Sequence, residues 1–283
     1  VITGSHNPAD YNGFKILFNN NSTSSEEIQS IKKRIKEEKF LSGTGNIKSL
    51  NVVESYIKEI TNDVKLHRPL NISIDCGNGA AGVVAERVYE DLGCKVEGLF
   101  CDLNGKFPNH HPDPSKPENV EDLIQSVLKS NSEIGLAFDG DADRLGVISP
   151  SGEMIFPDMQ MIIFSLDILK KNPNSNIVFD VKCSKLLEEA ILNSKGTPIM
   201  CKTGHTFIKS MIRKKGAILG GEMSGHIFFN DRWPGFDDGV YAGARMLEIL
   251  SYTEGEDIFK ALPKLVSTPE INIKTSDEEK FLI

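Results

Sequence analysis

The sequence predicts an α/β protein of tandem related domains, with largely parallel sheets and its reactive loops gathered at one cleft. Three observations predict it. Apolar strand-like runs alternate with amphipathic helical stretches over residues 72–250, the pattern that gives parallel strands covered by helices. The alternation restarts near Met159, which suggests two similar units in series. Each polar loop with reactive side chains follows an apolar run, and open α/β sheets bind ligands beyond the carboxyl ends of their strands.

The elements are justified in chain order. Residues 21–40 are Ser-rich and then charged, with Ile28, Ile31 and Ile35 at helical spacing. They predict an amphipathic surface helix capped by a serine of the run Ser22 to Ser25. A second helix over 52–65 leads to a new unit at Arg68-Pro69. The first block then predicts strands over 72–76, 95–100, 134–138 and 145–148, with helices over 79–92 and 119–129. The second predicts helices over 159–170, 185–193, 206–213 and 238–250, with strands over 177–181, 198–200, 217–219 and 227–229. Residues 263–269 read as a linker. The chain opens at Val1 on a strand-like run and stops at Ile283 just into a further unit, so it reads as an internal piece of a longer protein.

The net charge of −8 argues against a general nucleic-acid binder, which needs a basic field to collect phosphates. A local cluster of Lys, Arg and His can still hold a small phosphorylated ligand. Five cysteines, an odd number with no C-x-x-C pair, suit a reduced cytosolic compartment. No apolar run is long enough to span a membrane, and no secretory signal pattern is present. With 39% apolar residues the chain can bury its core without disulfide support.

Four loops carry candidate chemistry. Ser5 stands in Thr3-Gly4-Ser5-His6-Asn7-Pro8, ahead of an Asn12-Gly13 turn. A hydroxyl beside Gly suits a tight loop whose amides face an anion. His6 adds an ionisable ring and Lys15 a positive charge, a set that suits a serine carrying a phosphoryl group. A plain surface turn is the alternative for a lone Ser-His pair. Asp139-Gly140-Asp141-Ala142-Asp143-Arg144 follows an apolar strand. Three carboxylates at alternate positions can point at one hard cation of the Mg²⁺, Mn²⁺ or Ca²⁺ kind rather than zinc. The helix-flanked calcium loop is excluded because 145–148 reads as a strand; a solvated acidic turn remains the alternative.

Gly221-Glu222-Met223-Ser224-Gly225-His226 reads as the tip of a Gly-rich hairpin, with side chains able to hydrogen-bond sugar hydroxyls. Lys182 follows one strand, and Thr203-Gly204-His205 follows another and opens a helix, whose N-terminus favours an anion. His205 can carry a proton or contact a phosphate; an ordinary surface role is as good a reading for Lys182 or His205 alone. Phe107-Pro108-Asn109-His110-His111-Pro112-Asp113-Pro114 invites a metal reading. Adjacent residues of an extended run point opposite ways, so the loop reads as structural. The turn Asp75-Cys76-Gly77-Asn78-Gly79 does not meet the dinucleotide-binding pattern.

With these loops in this order, the chain resembles the α-D-phosphohexomutases, and among them the bacterial phosphomannomutase/phosphoglucomutase group. The likeness runs from the Ser5 loop through 139–144 and 221–226 to Arg232-Trp233-Pro234-Gly235-Phe236-Asp237-Asp238-Gly239. It implies tandem α/β domains with mixed, largely parallel sheets around a central cleft. Residues 1–51 would be the C-terminal part of a phosphoserine domain and 52–153 a metal-binding domain. Residues 154–265 would be a sugar-recognition domain and 266–283 the start of a truncated phosphate-binding domain.

The resemblance also implies an activity: interconversion of hexose 1-phosphate and hexose 6-phosphate, of mannose or glucose, through phosphoserine and a hexose 1,6-bisphosphate. Ser5 matches the phosphoryl carrier. Asp139, Asp141 and Asp143 match the ligands of one Mg²⁺, completed by the phosphoserine. Lys15 and Arg144 match basic groups around the moving phosphoryl, and His6 and Asn7 the loop beside it. Glu222 and Ser224 match contacts to sugar hydroxyls. Lys182, His205 and His226 match cleft residues, the histidines as proton-transfer candidates. A small phosphosugar is the implied partner, with no nucleic acid or membrane, and a cytoplasmic monomer is expected. Glucosamine-phosphate mutases usually carry Gln where Met223 stands and Ala-Ser where Gly4-Ser5 stands, which favours a hexose without the amine. A phosphoglucosamine mutase, a metal-dependent phosphatase and a non-catalytic sugar-phosphate-binding module are the alternatives. Little activity is expected of the 283 residues by themselves.

Overall fold

A computed structural model of the chain describes residues 1–5, 7, 10–18, 21–23, 25–253, 257–263 and 275. His6, Ser24 of the expected cap run, the linker from 264 onward and nearly all of 266–283 lie outside the described residues. The opening segment has little regular structure. A bridge joins Ile2 to Phe14, and the Thr3 and Lys15 amides donate to the carbonyls of Gly13 and Val1, both at 3.0 Å. Strands β1 (Leu17–Phe18) and β2 (Asn21–Ser22) form a two-residue antiparallel pair. Helix α1 (Ser25–Lys36) carries Glu26 and Glu27 in its first turn and Lys33, Arg34 and Lys36 in its last, the charge order that complements the helix dipole.

Helix α2 (Val53–Asp63) buries Ile57 and Ile60. It leads into β3 (Asn71–Asp75), α3 (Ala85–Asp91), β4 (Lys95–Leu99), α4 (Glu121–Ser130), β5 (Ile134–Phe138), β6 (Leu145–Ile148) and β7 (Met154–Ile155). The sheet order is β4-β3-β5-β6-β7. The first three strands are parallel, and β5, β6 and β7 run antiparallel in turn. The second block comprises α5 (Pro157–Lys171), β8 (Asn176–Asp180), α6 (Lys185–Asn193), β9 (Thr197–Cys201), α7 (His205–Lys215), β10 (Leu219–Gly221), β11 (Ile227–Phe229), α8 (Gly239–Leu250) and α9 (Asp257–Lys260). Its order is β11-β10-β8-β9, parallel except for the β10–β11 hairpin. No helix among the described residues is long and apolar enough to cross a membrane.

The expected alternation of strands and helices is present in both blocks, with local differences. The helix expected over 79–92 is a 3₁₀ turn (Ala80–Val83) followed by α3, and Val84 leaves helical geometry with φ −134°. The cause is close packing: a Cβ on Gly82 would lie 2.0 Å from the Cys101 carbonyl oxygen. Strand β10 sits two residues later than expected. Its glycines pass beneath larger side chains, where a Cβ on Gly220 or Gly221 would meet Ile212 at 2.7 Å or Met161 at 2.4 Å. The two-residue strands β1, β2 and β7 are too short to leave a periodic signal.

The two sheets share one hydrophobic core, which runs from Ile57 to Phe259 and includes residues of both blocks. Helix α8 is buried almost all round, as expected for a helix clasped between layers. Its Arg245 forms a two-pronged pair with Asp231 (2.9 and 2.8 Å) and lies 4.4 Å over the Phe229 ring. A Cβ on Gly243 would come within 2.3 Å of the Tyr89 hydroxyl, which donates to the Val240 carbonyl at 3.0 Å. Tyr89 is fully buried and stacked on Phe138, so it cannot step aside. The Gly243→Ala variant should therefore be less stable. Overpacking costs about 1–3 kcal/mol, more than the roughly 1 kcal/mol of helix propensity that Ala gains over Gly. Urea unfolding checks this, and a raised midpoint would contradict it.

Candidate active site

The loop at 139–144 leaves the end of β5 and is gripped from three sides. From the opening segment, the Ser5 carbonyl approaches so closely that a Cβ on Gly140 would lie 2.3 Å from it. From the turn after β3, the Ala80 amide donates to the Gly140 carbonyl at 3.0 Å. From the start of α8, the Gly239 amide donates to the Ala142 carbonyl at 2.9 Å. Arg144 makes an isolated antiparallel bridge with His226. The opening segment, the 139–144 loop and the 222–226 loop are thus in contact.

Ser5 has φ 51°, a left-handed conformation that costs a non-glycine residue about 1–3 kcal/mol and persists only where its surroundings enforce it. Its amide donates to Thr3 Oγ1 at 2.8 Å and its hydroxyl to Asp139 Oδ2 at 3.0 Å. Asn7 donates its amide to the Gly4 carbonyl. With Ser5, Tyr11, Asn78, Leu103, Phe107 and Gly140 it lines a cavity of about 270 Å³. A larger cavity of about 370 Å³ lies against Asp231, Arg232 and Arg245, and none of the reactive loops lines it. The chemistry of the lining, and not the volume, singles out the smaller one.

The carboxylate oxygens of Asp139, Asp141 and Asp143 lie within 4.8 Å of one another. Asp139 Oδ1 accepts the amides of Asp143 and Arg144, at 3.0 and 3.2 Å. Burial pushes the Asp139 pKa up to about 8; Asp143 and Asp141 add to the rise, while Arg144 and His226 oppose it. Lys15 Nζ bonds Asp141 Oδ2 at 2.7 Å and also Asp143 Oδ2. Burial works against its charge, yet the two carboxylates hold it above the usual lysine range. Burial likewise opposes the charge on Asp143, but His226 and Lys15 pull it well below the usual carboxylate range. Asp141 Oδ1 remains buried without a hydrogen-bond partner, while Asp143 Oδ1 faces His226. An oxygen-only donor set with an orphaned acceptor fits a hard divalent cation.

His226 Nε2 lies 3.2 Å from Asp143 Oδ1, and its Nδ1 lies 2.8 Å from Ser224 Oγ and 3.4 Å from Glu222 Oε2. Burial disfavours the imidazolium, but the bonds to Asp143 and Glu222 raise its pKa to about 9. The His205 ring is 5.9 Å away, and burial followed by the charge of Lys209 lowers its pKa. Two neighbouring imidazoles are thus biased to opposite charge states at neutral pH. Glu222 is almost fully buried, with the Gly204 amide at the start of α7 donating to its Oε1. Burial raises its pKa, but His226 and the Gly204 amide pull it down further. Lys182 stands exposed two residues past β8, on the sheet edge from which the 202–205 and 222–226 loops also leave.

Sequence reasoning missed three residues that shape this surface. Asp180, at the end of β8, accepts from Thr203 Oγ1 (2.9 Å), the Met223 amide (3.2 Å) and Cys183 Sγ (3.2 Å), tying three loops together. A buried acid closing an apolar strand was its available signal. Asp237 pairs with Lys209 at 2.6 Å and faces His205 at 4.0 Å. Asn78 accepts from Asn109 Nδ2 at 2.7 Å and donates to the Asp102 carbonyl at 2.9 Å; Asp237 and Asn78 stand inside the 232–239 and 75–79 motifs, which by themselves gave neither residue a role. The paired-histidine loop is tied to the sheet, with His110 Nε2 3.0 Å from buried Asp75.

Residues 1–42, 54–152 and 156–268 match α/β/α domains I, II and III of phosphoglucomutase/phosphomannomutase. A phosphomannomutase/phosphoglucomutase of Pseudomonas syringae pv. tomato is 50% identical across 100% of this chain, which covers 61% of that protein. A crystal structure of a phosphoglucomutase/phosphomannomutase family protein from Burkholderia thailandensis, 47% identical, matches with a TM-score of 0.92 over 95% of this chain and 59% of that one. N-acetylphosphoglucosamine mutase of Aspergillus fumigatus, solved with GlcNAc-6P and magnesium, shares the fold at a TM-score of 0.67 and 14% identity, over 93% of this chain and 72% of that one. The chain spans about three fifths of the length of the P. syringae and B. thailandensis proteins.

The close approach at Gly140 has a measurable consequence. In Gly140→Ala the new methyl displaces the Ser5 carbonyl, and the lightly held opening segment yields before the core does. Amide exchange at Thr3 and Lys15 should quicken roughly 5- to 150-fold, the equivalent of about 1–3 kcal/mol of local overpacking, with little change in the global urea midpoint. Unaltered exchange at those amides would count against the contact.

Proposed function

Because the chain belongs to the phosphoglucomutase/phosphomannomutase family, we propose that it carries the phosphoryl-transfer site of a phosphohexomutase. This isomerase would interconvert hexose 1-phosphate and hexose 6-phosphate, of mannose or glucose, through phosphoserine at Ser5 and a hexose 1,6-bisphosphate. One observation carries the reading: the Ser5 hydroxyl donates to Asp139 at 3.0 Å, beside Asp143 and an Asp141 oxygen that is buried without a hydrogen-bond partner. The three units take separate tasks, with phosphoserine on 1–51, the acids on 52–153 and sugar recognition on 154–265.

Catalysis of phosphoryl transfer is mostly positioning and charge stabilisation, and the site supplies both. Asp139, steadied by two amides, accepts the Ser5 hydrogen bond and orients the oxygen at the cavity. Asp139, Asp141 and Asp143 would hold one Mg²⁺, which when bound supplies positive charge to the phosphoryl oxygens. Lys15 and Arg144 add fixed positive charge, and so does the imidazolium of His226. His205, biased neutral, is suited to take the proton of a sugar hydroxyl. Glu222 and Ser224 keep free lone pairs for sugar hydroxyls, since a carboxylate has about four acceptor sites and the described bonds of Glu222 occupy fewer. Lys182 and Asn7 complete the substrate contacts, with His6 beside Ser5. The A. fumigatus complex with GlcNAc-6P and magnesium supports a sugar phosphate and Mg²⁺ as ligands of this fold.

Ser5→Ala tests the reading in the full polypeptide. It should take up no label from hexose 1,6-bisphosphate, and mutase turnover should fall roughly 10³-fold or more, as on loss of a covalent nucleophile. Retained turnover would remove Ser5 as the carrier; phosphate release without isomerisation would point to a phosphatase. The acids predict a pH effect. The Asp139 pKa, pushed up to about 8, means that a ligand oxygen is protonated below that pH without the ion. Mg²⁺ affinity should rise about tenfold per pH unit toward 8 and level above it, with protons released on binding. Calorimetry in buffers of differing ionisation heat measures both; a flat affinity between pH 6 and 8 would refute it.

A further inference from the structure

Cys76 and Cys101 are 25 residues apart in sequence, and their sulfurs are 3.6 Å apart, with the Cys101 thiol donating to Cys76. No other pair of cysteine sulfurs is hydrogen-bonded, and all five cysteines are free. The pairing of β3 with β4 sets Asp75 opposite Leu99, and the Cys76 amide donates to the Leu99 carbonyl at 3.0 Å. Phe100 then adopts φ 53°, which turns the chain and brings Cys101 back over Cys76. Cys76 is buried and Cys101 half-buried.

The pair sits behind a seam in the Ser5 cavity. Asn78 and Gly79, just past Cys76, line one part of the wall; Leu103, Gly105 and Phe107, just past Cys101, line another. Asn78 stitches the two together, through its amide to the Phe100 carbonyl (2.8 Å) and its side chain to the Asp102 carbonyl (2.9 Å). A disulfide needs sulfurs about 2.0 Å apart, so the two sulfurs must close by roughly 1.6 Å. The bond would tie together the two segments that line the wall facing Ser5.

We propose that Cys76 and Cys101 form a reversible redox modification site whose disulfide clamps the wall of the Ser5 cavity. The oxidant class is a peroxide. The Cys101 thiolate attacks one peroxide oxygen, the O–O bond breaks, and Cys101 becomes a sulfenic acid with release of water after proton uptake. The Cys76 sulfur then attacks the Cys101 sulfur; the S–S bond forms, the S–O bond breaks, and the second oxygen leaves as water with the Cys76 proton. Two thiols lose two electrons and the peroxide gains them. Cys101 reacts first because it is the more exposed, Cys76 being buried.

The site stands apart from the phosphoryl-transfer reading; its effect on Ser5 rests on that reading. The full polypeptide is treated with hydrogen peroxide, alkylated and digested. The expected result is a cross-linked peptide pair carrying Cys76 and Cys101, lighter by two hydrogens, lost on reduction with dithiothreitol and absent in C101S. C76A is a second control, and C101S alone suffices should C76A fail to fold. Phosphoryl loading of Ser5 should slow about 10- to 100-fold in the oxidised protein, the scale of a displacement near 1 Å at a reacting group, and recover on reduction. Oxidation of Cys101 to a sulfinic acid with no cross-link would overturn the site. A cross-link with unchanged loading would overturn the clamp. Failure of the reduced protein to load Ser5 would strike the phosphoserine reading and leave the cross-link result standing.

Discussion

Buried negative charge is the constraint on which the rest of this site depends. Three aspartates place carboxylate oxygens within 4.8 Å of one another in a nearly sealed loop. At that spacing two unit charges repel by about 3 kcal/mol even at an effective dielectric of 20. The protein answers from every side. Backbone amides bond Asp139, Lys15 reaches in from the opening segment, Arg144 turns back on the cluster from the end of its own loop, and His226 faces it from the second sheet's side. The buried Asp141 Oδ1, left without a hydrogen-bond partner, is an oxygen that a hard cation could take.

That requirement explains why the units cannot pack independently. The acidic loop is bonded to the turn after β3, to the start of α8 and to the opening segment at once. Glycine at 140 permits the closest of these approaches. Beneath the loop, α8 and a continuous apolar core join the two sheets, so the second and third units form one platform. The opening segment meets that platform at the acids themselves, where Ser5 bonds Asp139 and Lys15 bonds Asp141 and Asp143.

The histidines show how environment divides labour between like residues. His226, among carboxylates, is held charged; burial and Lys209 hold His205 neutral, outweighing Asp237 at 4.0 Å. The same Glu222 that supports His226 also caps the start of α7 through the Gly204 amide. Glu222 thus joins Asp143 in holding the proton on one ring and bonds the backbone beside the other.

Much of this was legible in the sequence. The alternation of apolar strands and amphipathic helices depends on local periodicity, and both blocks appear where that periodicity placed them. Ser5, the three aspartates, Lys15 and the Glu222 loop announced themselves because unusual residue types crowd into short Gly-rich segments. Asp180, Asp237 and Asn78 were given no role, because the partners that define them come largely from 23 to 43 residues away. The break at Val84 and the shifted strand β10 were hidden for the same reason: both come from close approaches between distant segments. The sequence by itself determined which chemistry the chain carries, since residue type sets charge, donor and acceptor capacity. Only the tertiary structure decided which of those groups share one space, how burial and neighbours set their protonation, and that two cysteines from different turns lie sulfur to sulfur. Those properties depend on distances that no local stretch of chain encodes.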